Sequence, residues 1–180
     1  MDKRIEIRVA LDESRLGIPY GPVKDAVGEN FGYRSLIQDP DSIDQIPELF
    51  REPEMKEFIR GINAPGGTFE TVRMLHWING SEGKIQRSIC FGFVFRDRGL
   101  FNVYSNCMMV LGNLLQFALK NEFCDGPALF EIQQAHFLQE RCSGWIMDLY
   151  VGGIADTEEA ARVRLNNHLG VLGAFLRSGG

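Results

Sequence analysis

The stretch Lys84-Ile85-Gln86-Arg87-Ser88-Ile89-Cys90-Phe91-Gly92-Phe93-Val94-Phe95-Arg96 alternates along its whole length. Ile85, Ile89, Phe91, Phe93 and Phe95 fall on one face, and Gln86, Ser88, Cys90, Gly92 and Val94 fall on the other. That is the period of a strand with one side against a core. A face so rich in Phe and Ile calls for a sheet with a helical layer above it, and the flanking sequence supplies both.

Upstream, Asn79-Gly80-Ser81-Glu82-Gly83 reads as a five-residue hairpin connection back to a strand from Thr68 to Ile78. Downstream, Asp97-Arg98-Gly99 is a turn signal leading to a short third strand from Leu100 to Tyr104. The period then becomes helical from Ser105 to Asn121, with Cys107, Leu111, Leu114 and Ala118 in one stripe flanked by Met108, Val110, Leu115 and Phe117. A helix apolar over that much of its circumference is covered on more than one side, within the domain or at a subunit interface. After Cys124-Asp125-Gly126-Pro127, strands from Ala128 to Gln139 and from Gly144 to Val151 form another hairpin. Asp156, placed before Glu159 in a capping pattern, opens a last helix to about Arg177 with the stripe Ala161, Leu165, Leu169, Leu172 and Leu176.

At the other end, Arg4 to Leu11 alternates as a half-buried strand, expected to be antiparallel. Residues 12–52 read as a long loop and short-helix segment, with a helical candidate near Val23 to Val27 and another from Asp41-Ser42 to Phe50 that Pro47 restricts. Pro53 suits the first position of a helix ending at Gly61, whose stripe is Met55, Phe58 and Ile59. The expectation for residues 1–180 is a single α+β domain, a mainly antiparallel sheet of about five to six strands packed against two or more helices. From Met55 onward the order of helix, three strands, helix, two strands, helix resembles that of type III secretion chaperones. The resemblance implies a small acidic dimer that binds protein clients.

Composition narrows the function classes. Asp and Glu number 24 against 19 Lys and Arg, a net charge of −5 with no basic run, which argues against nucleic-acid partners. The longest apolar stretch, Cys107 to Leu119, is broken by Gly112, Asn113 and Gln116, so no membrane partner is expected. With no apolar segment after Met1, the expected location is cytoplasmic and the four cysteines are expected to be reduced. No nucleotide-binding glycine motif and no Cys/His metal spacing is present, so no cofactor, metal or catalytic residue is assigned. Cys142 after Arg141 and Cys124 before Asp125 lack a nucleophile motif, and the Glu52/Glu54 and Glu158/Glu159 pairs suit helix starts.

Two functional readings follow. The first is a non-catalytic protein-binding module, a small chaperone, adaptor or immunity-type protein, acting through apolar helix faces as a homodimer or with another protein. The alternative is a small-molecule site, enzymatic or not, between sheet and helices. There His76, Gln134, His136 and Trp145 stand among apolar strand positions and would converge if both histidine faces turn inward.

Overall fold

The computed structural model describes residues 5–10, 16–24, 29–81, 83–121 and 128–179, which form an α+β structure. The strands are β1 (Ile5–Ala10), β2 (Leu16–Ile18), β3 (Val23–Lys24), β4 (Glu29–Asn30), β5 (Phe69–Ser81), β6 (Lys84–Phe95), β7 (Ala128–Phe137) and β8 (Cys142–Ala155). The helices are α1 (Pro53–Ile62), α2 (Arg98–Phe101), α3 (Tyr104–Lys120) and α4 (Glu158–Arg177), with two 3-10 turns at Pro40–Gln45 and Pro47–Leu49. A six-stranded sheet runs β1-β7-β8-β6-β5, with β2 also on β7, and β3 and β4 pair separately. No described helix is long and apolar enough to cross a membrane.

Register explains the core. Ile89, Phe91 and Phe93 lie beside Val151, Leu149 and Met147 of β8, which lie beside Ala128, Phe130 and Ile132 of β7. All nine side chains are buried, so one continuous apolar face spans three strands. Phe58 of α1 meets Phe91 edge to ring, with centroids 4.7 Å apart, and burying a Phe side chain contributes about 2–3 kcal/mol before entropy is counted. Helix α4 lies over β8 and β6 with α1 beside it, while α3 packs on β8 and on the other flank of α4. Gly153 lets α4 come this close: an added Cβ would sit 2.6 Å from the Leu165 amide and nearer still to the Ala161 carbonyl.

The opposite sheet face is crossed by the segment leaving β2. Ile18 accepts a hydrogen bond from the Leu138 amide beside β7. Two residues later, the Tyr20 hydroxyl donates to the Val72 carbonyl of β5 at 3.1 Å. Short α2 sits on this same face, its buried Phe101 edge-on to Phe137 at 5.3 Å.

Several sequence expectations change. Strand β1 pairs parallel, not antiparallel, with β7. The third strand, expected over Leu100 to Tyr104, is absent: Asp97 accepts from the Gly99 amide and caps α2, and α3 starts at Tyr104. The order from α1 therefore has two strands before the long helix, which departs from the chaperone-like order. The β5–β6 hairpin closes at the pair Ser81 and Lys84, leaving two turn positions rather than five; Gly83 there has φ of 74°. Thr157, not Asp156, caps α4 by accepting from the Ala160 amide. Pro47 divides the expected helix before Phe50 into two 3-10 turns, and Val23–Lys24 is a strand rather than a helix. Residues 25–28, like Cys124 and its turn, lie outside the described residues.

Candidate functional site

Both predicted histidine positions lie on the helix-covered face of the sheet, but they do not meet. His76 is level with Ile89, Val151 and Ala128 across the strands, and His136 is eight residues further along β7. With strands about 4.8 Å apart and a rise of about 3.3 Å per residue, the two are separated by about 14 Å across the sheet and about 27 Å along it. That is about 30 Å in total, too far for a shared ligand, and it removes the expected convergence.

Gln134, His136 and Trp145 do form one neighbourhood. Gln134 is in register with Trp145 and His136 with Ser143, and the His136 Nδ1 lies 2.8 Å from the Ser143 hydroxyl. Tyr104 at the start of α3 packs edge-on to Trp145 at 5.0 Å. These groups are satisfied locally and anchor the first turn of α3 to the sheet.

His76 belongs to a different constellation. Arg87 occupies an inward position of β6, where it is buried, and its guanidinium reaches Glu158 at 2.6 Å, Glu52 and the His76 Nε2 at 3.4 Å. A cation facing Nε2 requires that atom to be the unprotonated acceptor. Burial, then the Arg87 charge, hold His76 down to about 4, while burial pushes the Glu52 carboxyl up. The carboxylates expected simply to favour helix starts therefore clamp the starts of α1 and α4 to one arginine of the sheet.

A second buried ion pair stands on the opposite face. Arg73 donates to Asp148 through Nε at 2.7 Å and Nη2 at 2.5 Å, and Gln133 bridges Asp148 and Glu131 at 3.0 Å each. Burial works against the Arg73 charge, but Asp148 outweighs it and Arg73 is raised. Gly92 makes the space, since a Cβ there would lie 2.5 Å from the Asp148 carboxylate. Burial, then the Asp148 charge, push the neighbouring Cys90 thiol up to about 12, and burial alone does the same for Cys107. Thiols held that high are poor nucleophiles.

No described group of His, Cys, Asp and Glu is arranged to hold a metal ion. A cleft with polar walls, about 380 Å³, lies between the crossing segment and the sheet. Of its two guanidiniums, Arg96 donates to the Phe69 carbonyl at 2.6 Å and the Ile62 carbonyl at 3.1 Å, and Arg98 is committed to Glu70 and Glu140 at 2.7 Å each and stacks 3.7 Å above the Phe137 ring. These charged groups thus tie elements of the fold together.

What stands out is the outer face of α3. Its inner stripe of Cys107, Val110, Leu111, Leu114 and Ala118 is buried, yet Met108, Met109 and Leu119 are exposed, Met109 by 60% and Leu119 by 70%. From Tyr104 to Leu119 the helix has no charged residue. A solvent-facing helix normally carries charges opposite its apolar stripe. Gly112, midway along, has nothing within 4 Å of where a Cβ would be. Ile7 and Val9 of β1, also exposed, stand on the same sheet face, beside Phe130 and Ile132. Helix α4 contrasts: its stripe is buried, and its exposed large apolar residue is Val163. Sequence reading named Met108 as a flank of the stripe but missed Met109 and Leu119; the uncharged span was the available signal. No protein-family model, curated protein or solved structure matches this chain.

Proposed function

We propose that the protein is a non-catalytic protein-binding module that works as a homodimer joined through the outer face of α3. The observation that carries this reading is the absence of charge from Tyr104 to Leu119 on a helix that exposes Met108, Met109 and Leu119. A chain with net charge −5 repels its own copies, so a self-contact is favoured where no charge stands. A two-fold contact places the same patch against itself, and Gly112 at its centre leaves room for the facing backbone. The free thiols Cys90, Cys107 and Cys142 fit a reducing, cytoplasmic setting.

Sedimentation velocity at micromolar concentration tests the reading. Wild type is expected as a dimer, and Met109→Glu as a folded monomer, because burying an unpaired carboxylate at such a contact is strongly unfavourable. Val163→Glu on α4 is expected to remain dimeric. A wild-type monomer, or dissociation by both variants alike, would overturn the assignment to α3.

A further inference from the structure

The two edges of the sheet are finished differently. Strand β1 is short and carries exposed Glu6 and Arg8, with Arg8 Nη2 3.6 Å from Glu6 and Nη1 3.6 Å from Glu131, the kind of edge that resists pairing. Strand β5, at the other edge, runs over Phe69–Ser81 with no charged or proline residue from Met74 onward.

The hairpin geometry says which groups of β5 face outward. Ser81 and Lys84 flank a two-residue turn and form its hydrogen-bonded closing pair. Because hydrogen-bonded and non-hydrogen-bonded positions alternate, Asn79, Trp77 and Leu75 point their main-chain groups at β6, and Met74, His76, Ile78 and Gly80 point theirs away. Two side-chain contacts agree with this parity. The Val72 carbonyl takes the Tyr20 hydroxyl, and the Ile78 carbonyl lies 3.2 Å from the Asn79 amide nitrogen when that amide is oriented to accept from the Trp77 indole at 3.3 Å. Before the bulge at Thr71/Arg73, the edge is closed by Asn63, whose side chain accepts from the Thr71 amide at 3.0 Å. Beyond the bulge, among the described residues, no main-chain group pairs with the outward side of Met74, His76 and Ile78.

We infer that this edge receives an extended segment of a partner protein as an added strand. The side chains along it specify the partner's chemistry. Met74 and Ile78 stand on the helix side of the sheet and Leu75 and Trp77 on the other, and all four are half-buried or exposed. An added strand therefore meets apolar surface on both faces, and the segment that fits is uncharged and continuously apolar or β-branched rather than alternating. Affinity comes from its main chain and selectivity from those side chains. The site lies on β5, two strands away from the β8 on which α3 packs, so it stands or falls separately from the dimer contact.

The test uses the whole 180-residue chain and the peptide acetyl-Lys-Thr-Val-Ile-Val-Phe-Val-Thr-Lys-amide, beside a copy N-methylated at two adjacent central residues so that both peptide edges are blocked. Amide hydrogen exchange is expected to slow at Met74, His76 and Ile78 on adding the first peptide and to stay unchanged with the second. The methylated copy should bind about ten- to a hundredfold more weakly, because the methyl on the edge facing β5 removes one main-chain hydrogen bond and its bulk forces the neighbouring ones apart. Ile78→Pro removes one outward N–H at a position where an edge strand tolerates proline, and should weaken binding about three- to tenfold. Met109→Glu should leave it unchanged. The inference is overturned if the three amides are already protected in the free protein, if the two peptides bind alike, if protection falls on α3 instead, or if the unmodified peptide does not bind.

Discussion

Gly153→Ala tests the helix–sheet packing at its tightest point. The added methyl would lie 2.6 Å from the Leu165 amide nitrogen and 2.9 Å from the Arg164 Cβ, with the Ala161 carbonyl closer. Two of these three obstacles are backbone atoms, so no rotamer change relieves them; ordinary contact at about 4 Å needs α4 to lift by roughly 1 Å or more. Lifting α4 loosens Leu165, Leu169 and Leu172 from the core and strains the Arg87–Glu158 bond, since Arg87 is the cross-strand neighbour of Gly153. Overpacking ordinarily costs about 1–3 kcal/mol, and against backbone the upper end applies. For an m-value of about 2 kcal/mol/M, a cost of about 3 kcal/mol lowers the urea midpoint by about 1.5 M, read by far-ultraviolet circular dichroism. Gly170→Ala is the matched control: its Cβ would meet nothing within 4 Å on exposed α4 surface, and it should stabilise by about 0.5–1 kcal/mol. A Gly153→Ala midpoint within experimental error of wild type would mean that α4 does not pack this closely on β8.

Other expectations can be checked alongside. Arg73→Met leaves the Asp148 carboxylate buried beside Glu131 without its cation and should cost about 3–5 kcal/mol in urea unfolding, whereas a change below about 1 kcal/mol would mean that the pair is not closed in solution. His76 titrates near 4 in the fold, held down by burial and then by Arg87, against about 6.5 when unfolded. The unfolded chain therefore takes the proton first as pH falls. The stability owed to neutral His76 is complete above about pH 6.5 and is lost progressively toward pH 4, by up to about 2 kcal/mol once solvent screening is allowed for. Comparing wild type with His76→Gln between pH 7.5 and 4.5 isolates that loss from the titration of Glu52, and parallel pH profiles would contradict it.

Sequence pattern carried the fold where local spacing decides it. The Pro53 start of α1 with Met55, Phe58 and Ile59 inside, the Phe-rich face of β6, and the stripes of α3 and α4 are all present and buried. It failed where a distant partner decides. Alternation in β1 says which side chains share a face but not which strand lies beside it, and parallel pairing with β7 depends on residues more than a hundred positions away. Leu100 to Tyr104 has strand-like residues, yet Phe101 is drawn into a buried contact with Phe137 and Gly144 that a short helix satisfies. The histidine pair failed for the same reason: periodicity placed His76 and His136 on one face, and strand order set β8 and β6 between them. Arg87 was legible as a charged residue in an otherwise apolar stripe, but its partners Glu52 and Glu158 come from two helices whose positions no local pattern reports.

The proposed dimer contact on α3 sets a short distance between two copies, and that distance can be measured. A spin label at Asn113→Cys, in a background with Cys124→Ser and Cys142→Ser that leaves only the buried Cys90 and Cys107, reports that distance by double electron–electron resonance. Helices paired across Gly112 have axes about 8–10 Å apart, so a single label separation below about 25 Å is expected once label length is included, abolished by Met109→Glu. No dipolar signal at micromolar concentration, or a separation above about 40 Å, would contradict pairing through α3.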